Sequence, residues 1–332
     1  MLVYHPINCA SVAIIIVHYG RIKTTLRCLA QVFSIAPDAF VVVSNNGSSE
    51  EANELAAFAK DHSKRECLLR DAKDESLDWG TFLLARTIIV HNGGNLGFAA
   101  GCNVGVRLAL QRNDIEHIWL LNNDTQPKAG SIEALLGCAA KHPDAVIGST
   151  VVDMNAAGSN EEARIQVAGG VRYNPLSTRI YPAHEGASLL DLDSLPRPRL
   201  DYIYGASLFT SSEIFRKVGL LDESYFLFYE ELDFCRRATM LGYGLHWCRE
   251  SHVLHGVSES VGRPGSASNE QMRIAAFHEA RSTILFTRRH HAGLLPFALL
   301  ARLIVKPLWL VMRGEHQTIG PALRGVWAAF IE

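Results

Sequence analysis

The sequence has no Cys-x-x-Cys pair. Its seven cysteines (Cys9, Cys28, Cys67, Cys102, Cys138, Cys235 and Cys248) are odd in number and irregularly spaced. This argues against a disulfide framework or a zinc site and fits small buried thiols of a reducing compartment. Neither sign of charge dominates: 32 Lys and Arg stand against 34 Asp and Glu, a net charge of -2. There is no general basic surface, so no nucleic-acid partner is expected. No G-x-x-x-x-G-K-[ST] occurs, which removes a P-loop, and no G-x-S-x-G occurs, which leaves a serine hydrolase little support. No stretch offers the ~20 uninterrupted apolar residues of a spanning helix. The apolar run near the N-terminus lacks a basic start and a small-residue cleavage site, so it reads as a strand and not a signal peptide. The expected location is the cytoplasm.

What is present is an alternation of short β-branched runs and helical spacings. Val12–His18 is a continuous apolar run of the kind buried on both faces of a parallel sheet. Helical spacing follows over 24–34, a second strand over 40–43, and a second helix over 50–60. Thr87–His91 reads as a third strand, 99–111 as a helix and 118–121 as a fourth strand. This order predicts a doubly wound α/β fold with ligands at the carboxyl ends of the strands. Three polar tips would converge there: SNNGSSE, NGGNLGFAAGCN and NNDT. Beyond residue 151 the pattern weakens into loops and short strands. Residues 203–210 then resemble a strand and Ser212–Val218 a helix ending at Gly219. Residues 245–247 and 253–255 are extended, and 261–268 is a Gly/Ser-rich loop.

Three constellations carry chemistry. Asp124 closes the strand IWLLNNDT, where a carboxylate either presents a hard ligand to Mg²⁺ or Mn²⁺ or merely makes a turn. His255 ends VLHG and would suit the same cation through a neutral imidazole, against the commoner structural histidine. In DESYFLFYEELDFCRR, Glu230, Glu231 and Asp233 stand among aromatics, which suits a carboxylate held against a partly apolar floor or an acidic helix start. The glycines of 93–105 would let a phosphate or sugar approach the backbone. Their spacing is not G-x-G-x-x-G, and they follow the third predicted strand, which disfavours a dehydrogenase.

Taken in series, these segments resemble the inverting family-2 glycosyltransferases, in particular a rhamnosyltransferase-like branch. The likeness runs through SNNGSSE (44–50), then Asn95, Gly97, Phe98, Ala99, Gly101, Asn103 and Gly105, then Leu121, Asn122, Asp124 and Thr125. It continues through Gly205, Gly219, Asp222, Glu223, Phe226, Glu230, Asp233, Cys235 and Arg237. His255 with Ser258 or Ser260 closes it, so that it spans about residues 12–290. The resemblance implies a GT-A fold, a nucleotide-diphosphate sugar donor and a divalent cation, Mg²⁺ or Mn²⁺. It implies that Asn45, Asn46, Asn95, Gly97, Phe98, Asn103, Asn122 and Asn123 form the nucleotide-sugar side, with Asp124 and His255 on the metal. Glu231 would be the base, with Glu230 as fallback, and Asp222, Asp233 and Arg237 would serve structure or the acceptor side. Two positions depart from the family pattern. Asn45 replaces an Asp, and Glu231 stands where Asp is preferred, which displaces the carboxylate by ~1.5 Å.

The expected organisation is a GT-A domain over 10–265, with a nucleotide-binding half (10–125) and an acceptor-binding half (126–265). A helical extension over 266–332 follows. The apolar stretch 292–313 carries Arg302, Lys306 and Arg313 and is interrupted by Pro296 and Pro307. It reads either as an interfacial helix on the inner face of a cytoplasmic membrane or as a helix packed on its own domain or a partner copy. The acceptor implied is a glycan or lipid-linked glycan. The alternatives are a catalytically degenerate sugar-nucleotide-binding or scaffold protein and a nucleotidyltransferase.

Overall fold

The computed structural model describes residues 9–63, 65–73, 79–154, 163–256 and 269–331. β1 (Val12–His18) is buried at all seven positions, because it lies between two parallel neighbours with helices on both faces. It pairs with β2 (Phe40–Asn45) on one side and β5 (His117–Asn122) on the other, so that Ile16 faces both Val43 and Leu121. Successive residues feed opposite cores, as the two-residue period of a strand requires. Ala13, Ile15 and Val17 enter one apolar cluster; Val12, Ile14 and Ile16 enter the other. The second cluster is covered by α1 (Ile22–Ile35), α2 (Ser49–Ser63) and α5 (Ser131–Lys141).

Among the described residues ten strands form the main sheet. Its order is β3 (Cys67–Asp71), β4 (Thr87–His91), β2, β1, β5, β12 (Ser207–Ser211), β7 (Ala145–Asp153), β13 (Gly244–His255) and β6 (Thr125–Pro127), with β8 (Ile165–Ala168) against β7. The first five are mutually parallel; β12 is antiparallel to both of its neighbours. β9 (Gly170–Asn174), β10 (Arg179–Pro182) and β11 (Tyr202–Ile203) make a small second sheet. The run 203–210, expected as one strand, is therefore divided between two sheets. β3 escaped the sequence reading because it is an edge strand whose apolar positions are half-buried or, at Leu69, exposed.

α4 (Phe98–Leu110) shows what its glycines do. A Cβ on Gly105 would stand 2.5 Å from Ile15 Cγ2, and one on Gly101 2.8 Å from Val17 Cγ1. These glycines let α4 lie directly on β1. The expected role in ligand approach gives way to helix–sheet packing at both positions.

α6 (Ser212–Val218) and α7 (Glu230–Met240) cover the first cluster together with α8 (Asn269–His290). Ile284 and Phe286 of α8 belong to that cluster, as does Val326 of α11 (Ile319–Ala328), so residues after 269 share the core of the sheet. Between them, Ala292–Met312 runs as 21 helical residues, long and apolar enough by composition to cross a membrane. The prolines do not break it. Pro296 lies in the first turn of α9 (Leu295–Leu300), where no backbone donor is needed. Pro307 opens α10 (Lys306–Met312) directly after a wider π-turn over Ala301–Val305, in which Lys306 N–H donates to Ala301 O.

Candidate active site

The carboxyl ends of β1, β2, β4 and β5 lie side by side, and their polar tips are mostly bonded to one another. Asn45 is fully buried; its Nδ2 donates to Ser48 O (2.8 Å) and its Oδ1 accepts from Gly47 N (3.0 Å), closing the turn before α2. Asn46 Nδ2 donates to Gly97 O (2.9 Å) and Asn95 Oδ1 (3.2 Å), while its Oδ1 accepts from Asn92 Nδ2 (2.8 Å). Asn123 Nδ2 donates to Thr25 Oγ1 (2.9 Å), which also meets His18 Nδ1 at 2.7 Å. Asn103 lies away from this edge, fully buried. Its Nδ2 donates to Leu221 O (2.8 Å) and Glu223 Oε1 (2.9 Å), and its Oδ1 accepts from Leu221 N (3.0 Å). Asn45, Asn46, Asn103 and Asn123 thus spend their amides on the frame. Asn95 is exposed, and Asn122 Oδ1 is buried without a partner.

Gly97 (φ 86°) starts α4 and packs on Phe226: a Cβ there would meet Phe226 O at 2.4 Å. Phe98 N–H donates to that same oxygen (2.8 Å), and the Phe226 ring stacks on His278 of α8 at 4.5 Å. The NLGF segment is thereby sewn to the acidic segment more than a hundred residues later.

Asp124 and His255 meet where β6 pairs with β13, Thr125 opposite His255. Asp124 Oδ1 lies 3.1 Å from His255 Nε2, both residues nearly inaccessible, yet that oxygen has no hydrogen-bond partner. His255 Nδ1 is 2.7 Å from Gln166 Oε1. The amide oxygen there requires Nδ1–H, which in the neutral ring leaves the Nε2 lone pair directed at the Asp124 side. An orphaned carboxylate oxygen beside an oriented imidazole nitrogen is a donor set that fits a divalent cation. Sequence reasoning missed Gln166, since nothing in the weak pattern after residue 151 marks it. His18 was legible only as the last residue of its strand.

The acids sit on a strained entry. Phe228 (φ 65°) and Tyr229 (φ 74°) are both left-handed immediately before α7, which costs aromatic side chains of order 1 kcal/mol or more each. α8 holds them there: Ser282 Oγ donates to Leu227 O (2.9 Å) and Thr283 Oγ1 to Tyr229 OH (2.9 Å). Glu230 is 3% exposed. Burial first, and then the neighbouring Glu231 charge, push its carboxyl well above the ordinary range. Glu231 is half-buried and is also raised by burial, with opposing help from backbone N–H groups and from Glu230. The two carboxyls act on each other in opposite senses: the Glu231 side chain raises Glu230 further, while the Glu230 side chain holds Glu231 down. Each keeps one buried oxygen, Oε2, without a partner.

Tyr204 and Gly205 join the two centres. The Tyr204 ring meets His255 edge-on at 5.9 Å, and a Cβ on Gly205 would lie 3.0 Å from Glu231 Oε1. One peptide unit therefore touches both the Asp124–His255 pair and the carboxylate pair.

The remaining predicted residues are struts. Asp233 accepts from Arg237 Nε and His290 Nε2, each at 2.7 Å. Burial would raise its carboxyl, but those bonds outweigh it and hold it below the ordinary range. Arg237 also donates to Val218 O (2.8 Å) and Leu220 O (2.9 Å). Asp222 caps its own turn through Ser224 and pairs with Arg289. Ser258, Ser260 and the expected loop 261–268 lie outside the described residues.

Residues 13–183 match the family model described as glycosyl transferase family 2. Among curated relatives, a low-salt glycan biosynthesis hexosyltransferase of Haloferax volcanii is 24% identical over 175 residues, half of each chain. An N-acetylglucosaminyl-diphospho-decaprenol L-rhamnosyltransferase of Mycobacterium tuberculosis is 26% identical over 223 residues, 62% of this chain and 68% of the relative. The chain thus spans half the length of the first of these relatives. The solved structure of GalNAc-T7 with UDP, GalNAc and Mn²⁺ superposes with a TM-score of 0.56 at 13% identity, over 88% of this chain and 54% of that one.

Proposed function

Because the chain belongs to glycosyl transferase family 2, in its rhamnosyltransferase-like branch and with a GT-A fold, we propose that it transfers a sugar with inversion from a nucleotide diphosphate to an acceptor hydroxyl. L-Rhamnose is the sugar we favour, from the name of the mycobacterial relative. The observation that carries the reading is the Tyr204–Gly205 unit, which touches the Asp124–His255 pair on one side and Glu231 on the other. Two consecutive residues thereby link a cation-type donor set to a carboxylate whose affinity for a proton is raised.

Asp124 Oδ1 and His255 Nε2 would hold Mg²⁺ or Mn²⁺; when bound, that cation neutralises the charge of the diphosphate leaving group. Glu231 accepts the proton of the acceptor hydroxyl as its oxygen attacks the anomeric carbon. The new carbon–oxygen bond forms as the bond to the diphosphate breaks, so one displacement inverts the centre. A raised carboxyl makes Glu231 a stronger base than a solvated one. Glu230 opposes the rise of the Glu231 carboxyl and so favours its charged form. Asn122, Asn95 and Phe98 are assigned to the nucleotide-sugar side, while Asn45, Asn46, Asn103 and Asn123 support it through the frame.

We assign the acceptor to the α8 side and place the protein on the inner face of a cytoplasmic membrane. A cleft of about 550 Å³ lies there, lined in part by Arg273, Phe277, His278 and Arg324, and it adjoins the site through the His278–Phe226 stack. Arginines in such a cleft suit the diphosphate of a lipid-linked glycan. The apolar run beside it lies along the protein. Arg302 pairs with Glu279 of α8 at 2.8 Å, and Ala298 and Leu310 are buried, while Phe297, Leu300, Ile304, Leu308 and Met312 stay exposed. One face packed and one face bare is the geometry of an interfacial helix. We divide the chain as above, a catalytic domain over 10–265 and a helical extension over 266–332.

The test is transfer from a panel of nucleotide sugars to a lipid-diphosphate glycan, with and without Mn²⁺, reading the anomeric configuration of the product by NMR. Inverted product that requires the cation and is lost in Asp124→Ala supports the proposal. Cation-dependent nucleotide binding without turnover would indicate a degenerate homologue instead.

A further inference from the structure

α5 and β13 bring together ligand-type side chains that the glycosyl-transfer site does not use. On β13, His246 and Cys248 are two residues apart and share one face, and Glu250 follows in the irregular stretch between Cys248 and His252. On α5 and its cap, Cys138 and His142 are four residues apart and share one helical face. The two faces meet. His142 and His246 stack at 3.8 Å across the packing of α5 on β13. One ligand atom each of Cys138, Cys248 and Glu250 lies within 4.8 Å of the other two.

We propose that Cys138, Cys248 and Glu250 form a second cation site, for a thiophilic divalent ion of the Zn²⁺ class, with His246 the neighbouring donor for a fourth position. A tetrahedral centre with Zn–S bonds of ~2.3 Å and a Zn–O bond of ~2.0 Å has edges of roughly 3.5–3.8 Å. Closing the cluster therefore asks each ligand atom to move inward by no more than about 1 Å. Two thiolates and a carboxylate select a softer ion than the Asp124–His255 pair does. The sites are also separate: Cys248 pairs with Ser149 and His255 with Asp153, four residues of β7 apart, or roughly 13 Å along the strand. Binding releases both thiol protons to solvent and leaves two sulfur–metal bonds, with no oxidant involved. Such an ion would staple α5 to the strand that ends in His255. Cysteine spacing had argued against any zinc site, because Cys138 and Cys248 are far apart in the chain and meet only across the α5–β13 packing.

The test uses the full chain, stripped with chelator under reducing conditions and titrated with Co²⁺ and then Zn²⁺. Expected is one equivalent of Co²⁺ with a thiolate charge-transfer band, displaced by Zn²⁺ and unchanged in the Asp124→Ala, His255→Ala double variant. Cys138→Ser and Cys248→Ser should each abolish the band, and Glu250→Gln should weaken Zn²⁺ binding by about tenfold. Melting temperatures compared without and with Zn²⁺ guard against misfolding: the ion should raise that of the wild type and not that of the serine variants. No charge-transfer band in the wild type, or a band that survives both serine substitutions, overturns the proposal. So does a Cys138–Cys248 disulfide that forms as readily with Zn²⁺ present as without it.

Discussion

Asn103→Ala tests whether the amides of the NLGFAAGCN segment build the frame or touch a ligand. Asn103 makes three bonds to residues 221–223 from a fully buried position, and Leu221 is itself 3% exposed. Truncation leaves Leu221 N–H and C=O both unpaired, at about 1–3 kcal/mol each. Glu223 keeps Arg107 as a partner at 2.6 Å, so its loss is smaller. Water entering the vacated space recovers part of the cost, and we expect a net destabilisation of about 2–4 kcal/mol. For 332 residues the unfolding entropy is roughly 0.7 kcal/mol/K, which converts that loss into a fall of about 3–6 °C in melting temperature. Differential scanning calorimetry reads this directly, and isothermal titration with the cognate nucleotide sugar reads the alternative. The reasoning is refuted by a melting temperature within about 1 °C of wild type together with a weakened nucleotide affinity, since Asn103 would then face the ligand.

Three further outcomes are expected. Gln166→Ala removes the partner that orients His255 and should weaken divalent-cation affinity by about 10–100-fold, measured by Mn²⁺ titration. Glu231→Gln should lower turnover by about 10²–10⁴, or ~3–5 kcal/mol of barrier, while leaving the melting temperature unchanged or higher, because a desolvated charge has been removed. Glu230 is raised in the folded state, so its contribution to stability is fully present below the unfolded carboxyl value and is lost as pH rises towards the folded one. Glu230→Gln should therefore gain on wild type in denaturant melts as pH rises above about 4.3; a gap that shrinks with rising pH would contradict a raised Glu230 carboxyl.

Much of the core was legible because strand and helix periods are local. The run Val12–His18, β-branched at five of seven positions, reads as an interior strand, and it lies within the parallel region. Ser212–Val218 ends as read, with Gly219 at φ 90°. Asp124 and His255 were paired by resemblance, and they stand 3.1 Å apart. The amides were not legible in the same way. Asn46 and Asn122 look alike in sequence, yet one is bonded on all sides and the other holds a buried bare oxygen. That difference depends on which chain segment arrives opposite each of them.

By itself, then, the sequence determined the α/β alternation and the segments that gather at the strand ends, because both are written in spacing over a few residues, and its motifs in series carried the likeness to the family. Tertiary structure decided the rest through contacts between distant segments. It turned Gly101 and Gly105 into packing positions against β1 and gave His255 its Gln166 partner. It set Glu230 and Glu231 on a left-handed entry held by α8 and carried a helix through two prolines by way of a π-turn. It also brought Cys138 to within 4.8 Å of Cys248. Each outcome depends on what a side chain meets across the fold, which no local pattern encodes.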